Sequence, residues 1–305
     1  MNIILSIRTG FVRALRSWRG VLIDWILTFS IVILVALPLR TALNSWLGSS
    51  MITERLANGI NFDVIADLGT NFTALLSMFS IGFFLIIFIG LLINVFITGG
   101  LFNCMKGTNG KFSTTVFFSG ATSNFWSCFV IMLIVGIIII LVGFMVIGIP
   151  VLIAGGSGSI EGSKLRAFIR FGSIFLLILP LFLLIADYSR AWQVARVKSS
   201  CFKAIGFGFS QTFRTFLSSY PMMILILSGQ ILFGWLVLSI LPGLKANSGG
   251  GIFLYFLLSQ LLFFTKILLR VWRYGSVTAL MEENLRKEVS PVQPEPVLLH
   301  SQNQV

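Results

Sequence analysis

Histidine and acid are what this chain has least of. Its 305 residues include one histidine, ten Asp and Glu together, and three cysteines. The single imidazole, His300, lies close to the C-terminal end, which leaves no histidine general base and few ways to build a histidine metal site. No carboxylates come as a close pair inside an apolar stretch, and there is no Cys-x-x-Cys and no nucleophile elbow. Cys104, Cys128 and Cys201 are odd in number and have no metal-ligand spacing. Two fall on the expected cytosolic side and one inside a span, so a disulfide framework is not expected. These gaps argue against an enzyme, a metal centre and a bound cofactor.

What the chain has in quantity is apolar length. Hydrophobic residues make up 56% of it and charged residues only 10%, the balance of a multi-span membrane protein. Six runs stand out, at roughly 21–43, 74–98, 125–149, 168–186, 217–241 and 252–272. They are apolar all round rather than alternating, and helices satisfy their backbone polar groups segment by segment where no water reaches. The expected fold is therefore all-α and polytopic, with six transmembrane helices. The fourth run is the shortest, and Arg170 near its outer end is expected to snorkel to the headgroups. The first run is too long for a cleavable signal and reads as an uncleaved anchor.

The net charge of +12 would suggest a nucleic-acid partner on a soluble chain. Its placement points elsewhere. With the N-terminus in the cytosol, sixteen of the 22 Lys and Arg fall on the inner side and six on the outer, the asymmetry that orients membrane proteins. Both termini are expected inside, and nucleic acid is not an expected partner. Residues 44–72, with Glu54, Asp63 and Asp67, read as an outer segment of one or two short helices. Residues 154–163 read as a Gly/Ser linker, since they lack the Gly-Lys-Ser/Thr ending of a phosphate loop. Asn71-Phe72-Thr73 matches a glycosylation sequon that abuts a span. The expected division is 1–20 as an interfacial helix, 21–275 as the membrane domain and 276–305 as a cytosolic, largely disordered tail.

Helical projection exposes a repeat. Ile4, Ile7, Phe11, Leu15 and Trp18 share one face, with Arg8, Arg13, Arg16 and Arg19 beside and opposite it. Phe202, Ile205, Phe209, Phe213 and Phe216 form the same stripe, with Arg196, Lys203 and Arg214 on another face. Residues 111–125 give a weaker third copy through Lys111, Phe112, Phe118 and Phe125. Basic helices of this kind lie in the membrane interface. Each precedes an odd-numbered span, and the even-numbered spans return at Gly99-Gly100, Asp187-Tyr188 and Arg273-Tyr274, 88 and 86 residues apart. Three hairpins are expected, each preceded by a cytosolic interfacial helix and packed about a pseudo-threefold axis.

The candidate site is a set of charges near one depth. Lys266, Arg270 and Arg273 fall on one face of span six at i, i+4 and i+7. Arg190 lies one turn past Asp187, and Asp24 opens span one. Charge inside a bilayer costs ~3 kcal/mol at the centre, so such groups pair or reach water. One reading makes Asp24 and Asp187 structural partners of the stripe. The other makes Lys266, Arg270, Arg273 and Arg190 a pocket for an anionic lipid headgroup. Ser228, Gln230, Ser259 and Gln260 read as interhelical glue. Gly90, Gly136, Gly143 and Gly148 read as close-packing positions, and Pro150, Pro180, Pro221 and Pro242 as kinks or ends.

Several short patterns carry a resemblance: Trp46-Leu47-Gly48-Ser49-Ser50-Met51, Glu54-Arg55-Leu56, Asn61-Phe62-Asp63, Asp67-Leu68, Gly99-Gly100-Leu101, Phe125-Trp126, Asp187-Tyr188-Ser189-Arg190 and Arg270-Val271-Trp272-Arg273-Tyr274. Over nearly the whole chain this resembles a bacterial family of six-span proteins with no assigned activity. More distantly it is similar to the membrane domain fused to some glycerophosphodiester phosphodiesterases. The hydrolase domain is missing, so no such activity carries over. The resemblance implies a bacterial inner-membrane setting and an association with lipid. The expected function is that of a non-enzymatic membrane protein that binds or organises anionic lipid, or acts as an accessory to a membrane assembly. A small-molecule or lipid transporter is the alternative.

Overall fold

The computed structural model describes residues 3–47, 69–106, 112–156, 162–196, 200–240 and 249–289. Ten α-helices fill them: α1 (Ile3–Arg16), α2 (Trp18–Leu47), α3 (Gly69–Met105), α4 (Thr114–Ser123), α5 (Phe125–Gly143), α6 (Ile149–Gly156), α7 (Gly162–Ala195), α8 (Cys201–Arg214), α9 (Phe216–Ile240) and α10 (Gly249–Val289). A π-helical turn, Phe144–Gly148, joins α5 to α6. It lies just before Pro150, whose missing N–H and bulky ring disturb the helical ladder one turn upstream. Among the described residues, six helical segments are long and apolar enough to cross a membrane: α2, α3, α5 with α6, α7, α9 and α10. The protein is all-α and polytopic.

The short helices α1, α4 and α8 are set off from the following spans by single turn residues: Ser17, Asn124 and Thr215. Asn124 (φ −105°, ψ 4°) and Thr215 (φ −107°, ψ 22°) hold nearly the same backbone geometry, in the bridge region between helix and strand. Their side chains do the same work. Asn124 donates to the Gly120 carbonyl at 3.0 Å and Thr215 to the Gln211 carbonyl at 2.7 Å, each satisfying an acceptor four residues back, at the end of its short helix. Counting from the three turn residues, positions 4 and 7 are buried in every copy: Val21, Cys128 and Ser219, then Asp24, Ile131 and Met222.

The short helices have an unexpected inner face. α1 buries Ser6, Gly10, Arg13 and Ala14, α4 buries Phe117, Gly120 and Ala121, and α8 buries Ala204, Gly208, Gln211 and Thr212. Their large apolar residues point outward: Ile4, Phe11 and Leu15 on α1, Phe202, Phe209 and Phe213 on α8. Small residues permit backbone-to-backbone approach. A Cβ on Gly208 would lie 2.6 Å from the Ile185 carbonyl, and one on Gly275 2.7 Å from that of Gly10. In the middle copy the small residue changes sides. There Phe117 packs on Gly100, where a Cβ would lie 2.8 Å from the Phe117 carbonyl.

The order of packing closes a ring. The helix α4 lies chiefly on α3, α8 on α7, and α1 on α10, so each short helix rests on the preceding returning span and the first rests on the last. The returning spans α3, α7 and α10 all touch one another. The outgoing spans fill the gaps: α2 between α3 and α10, α5 between α3 and α7, α9 between α7 and α10. This is the arrangement three hairpins about a central axis require.

Several expectations need correction. α1 ends at Arg16, and Arg19 already belongs to α2. The fourth span, expected to be the shortest, is part of the 34-residue helix α7. Residues 276–289, expected in the disordered tail, continue α10. Ser276, Val277, Leu280 and Met281 are buried, because α1 supplies the surface they pack on. Gly90 and Gly136, expected at close helix contacts, face open space, and Gly148 meets only its own Phe144, whereas Gly143 does abut Phe175. Pro180 lies inside α7 and Pro221 inside α9. Of the expected linker 154–163, residues 154–156 belong to α6 and 162–163 to α7. Glu54, Asp63, Asp67, residues 157–161, Lys111, Pro242 and the chain after Val289 lie outside the described residues.

Candidate functional site

Asp187 of α7 faces α10. Its side chain is wholly buried, with Arg273 Nε of α10 at 3.0 Å from Oδ2 and Arg190 Nη1, one turn along α7, donating to Oδ1 at 3.4 Å. The Arg273 Nε–H is not aligned for a hydrogen bond to Oδ2, so that contact is Coulombic. The Arg273 guanidinium also lies 5.2 Å from the centre of the Tyr274 ring, a cation–π contact. Beside the pair, the buried Tyr188 hydroxyl shares a 2.6 Å hydrogen bond with Ser219, and Ser219 shares one of 2.7 Å with Thr215. Residues 187 and 273 stand one repeat apart, so the ion pair joins corresponding positions of the second and third hairpins. Gly99 holds that position in the first.

A looser pair lies nearer the lipid. Asp24 Oδ2 is 3.9 Å from Arg270 Nη1, whose side chain is 35% exposed. The Thr28 hydroxyl donates to Asp24 Oδ1 at 3.3 Å. It joins the first hairpin to the third. Both pairs therefore bridge hairpins rather than stabilise a single helix.

The same end of the bundle carries cations that cap helix ends. Arg13 Nη1 donates to the Met105 carbonyl at 3.1 Å, closing α3, while Nη2 meets Glu282 of α10 at 2.7 Å. Lys106 Nζ donates to the Ala195 carbonyl at 3.3 Å, closing α7. Cations suit the orphan carbonyls and partial negative charge of helix C-termini. The Trp272 indole donates to the Ile7 carbonyl at 3.0 Å and holds α1 to α10. Sequence reading placed Arg13 among the interfacial charges of α1 and overlooked Glu282. The one signal was Arg13's position between Gly10 and Ala14, on the small-residue face.

The four cations of the expected pocket thus divide. Arg273 and Arg190 hold Asp187, Arg270 holds Asp24, and Lys266 has no ion-pair partner among the described residues. Lys266 instead lines a groove of about 390 Å³ between α9 and α10. The polar walls of this groove are Gln230 and Ser259, and the Gln230 amide donates to the Leu269 carbonyl at 3.1 Å. A second groove, about 490 Å³, runs between α2 and α3 and is lined only by apolar residues such as Val32, Pro38, Phe79 and Phe83. Among the described residues, no three of His, Cys, Asp and Glu gather as metal ligands would. Set against protein families, curated proteins and solved structures, the chain matches none.

Proposed function

We propose that this integral membrane protein is not an enzyme and gathers anionic lipid around a ring of interfacial helices on its cytosolic face. The observation that carries the reading is the outward turn of the apolar stripes on α1 and α8. An amphipathic helix that buries small residues and presents Ile4, Phe11, Phe202 and Phe209 outward needs an apolar solvent there, and acyl chains supply it. Arg8, Arg19 and Lys203 are exposed on the same helices or at their junctions. Near a membrane surface each attracts anionic lipid by ~1 kcal/mol. The excess of Lys and Arg on that side orients it towards the cytosol, and a bacterial inner membrane is the proposed setting. The in-span cations Arg190, Arg270 and Arg273 serve the framework in this reading, since each has a carboxylate within 4 Å.

The test is the lipid that surrounds the protein when it is cut from its membrane in polymer-bounded discs. The ratio of anionic to zwitterionic lipid should exceed that of the bulk membrane. It should fall towards the bulk value when Arg8, Arg19 and Lys203 are all changed to Gln. A wild-type ratio equal to the bulk would sink the proposal.

A further inference from the structure

We infer that the groove between α9 and α10 holds one phospholipid with an anionic headgroup, bound at the headgroup by Lys266. This rests on the lipid reading above but assigns a separate, single place to one molecule. Three observations converge on it.

The first is charge. Lys266, Arg270 and Arg273 form one stripe, and the two arginines each have an aspartate while Lys266 has no acid among the described residues. Contacts to α1 place the membrane interface near Trp272 and Ser276 of α10. At 1.5 Å per residue Lys266 starts about 10 Å deeper, where an uncompensated charge is unfavourable and an anion within reach of its flexible stem is favoured.

The second is shape. Lys266, Leu269 and Gln230 stand at the groove's interfacial end, and Ser259 and Leu238 at its far end. The ten helical steps from 259 to 269 span about 15 Å, half of a ~30 Å hydrocarbon core. That is the length of an acyl chain in one leaflet. Phe233, Val237 and Leu262 give the chain an apolar wall.

The third is contrast. The α2/α3 groove is larger, yet it is lined by no cation and no polar side chain. It can accept an acyl chain but has nothing to select a headgroup. The α9/α10 groove has both parts.

Native mass spectrometry of the full chain, purified in detergent and titrated with dioleoyl phosphatidylglycerol or dioleoyl phosphatidylcholine, tests the site. One phosphatidylglycerol should bind more tightly than any further copies, and more tightly than phosphatidylcholine. Lys266→Gln should weaken that copy about five-fold, the factor that ~1 kcal/mol of attraction represents, and Lys266→Arg should keep it. Gly234→Leu should weaken it too. Gly234 lines the groove, and a Cβ there meets nothing within 4 Å, so the new side chain fills the site without displacing backbone, and the melting temperature should be unchanged. The variant with Arg8, Arg19 and Lys203 all changed to Gln should retain the tight copy, which separates this site from the ring of interfacial charges. Equal binding of both lipids, unaltered binding by both Lys266→Gln and Gly234→Leu, or a retained mass matching a free fatty acid would overturn the assignment.

Discussion

The two halves of the bundle are built differently. Along α7, Leu184 to Val194 are almost all buried, whereas Phe168, Ile169, Leu176 and Leu177 are exposed. α3 is mostly buried from Val95 to Met105 and exposed at Leu76, Phe79, Phe84 and Phe88. On α10 the change comes between Leu261 and Ile267. Each returning span thus passes from a loose, lipid-facing half to a tight half beside the short helices. The tight half contains the four ion pairs described above and the closest glycine contacts, whereas the loose half has long apolar side chains and grooves. Apolar side chains gain little by leaving lipid for protein, so hairpins in a bilayer associate through close packing and polar contacts. In this molecule those are gathered at one end, and the short helices supply much of the packing surface there.

That contrast can be broken at its strongest point first. Asp187→Asn leaves Arg273 buried without a counter-charge and should cost about 3–5 kcal/mol, read as a large fall in melting temperature in detergent. Adding Arg273→Gln should restore part of the loss. An unchanged melting temperature in Asp187→Asn would mean that the returning spans are held by packing alone.

The next prediction compares the halves directly. Gly10→Leu drives a side chain into the backbone of Ser276 and should cost about 3 kcal/mol, at the upper end of overpacking effects. Gly136→Leu meets nothing within 4 Å and should leave stability within about 0.5 kcal/mol. Equal effects in thermal unfolding would erase the distinction between tight and loose regions.

The smallest effect sharpens the boundary. Asp24→Asn removes the partner of a part-exposed Arg270 whose guanidinium can reach headgroups by snorkelling, so the loss should be under about 1 kcal/mol. A cost as large as that of Asp187→Asn would mean that the Asp24–Arg270 pair is enclosed as tightly as the Asp187–Arg273 pair.

Much of this architecture is legible along the chain because its signals are local. The short helices could be found from Phe202, Phe209 and Phe213 falling on one face, since periodicity needs no tertiary contact. Their turn residues, Ser17, Asn124 and Thr215, are types that favour helix boundaries. The inner faces were harder to read. Gly10 and Gly208 drew no expectation, while Gly90 and Gly136 in long apolar runs looked like packing positions. A glycine's neighbour across a helix interface leaves no mark on its own flanking sequence. Residues 276–289 were misread for the same reason: with Glu282, Glu283 and Arg286 they look like a solvated tail, and only α1 lying against them explains the burial of Val277 and Leu280. The charge stripe of α10 was visible at i, i+4 and i+7, but its division between framework and groove was not.

The sequence by itself determined the class, the six spans and the three short helices, because hydrophobic length and helical period are properties of consecutive residues. Tertiary structure alone decided that α1 closes the ring on α10, that Arg13 meets Glu282 across 269 residues, and that Asp187 takes Arg273 while Lys266 is left to the groove. Those choices depend on which helix faces approach closely enough to exclude lipid, and that is settled by how small residues on separate segments fit together.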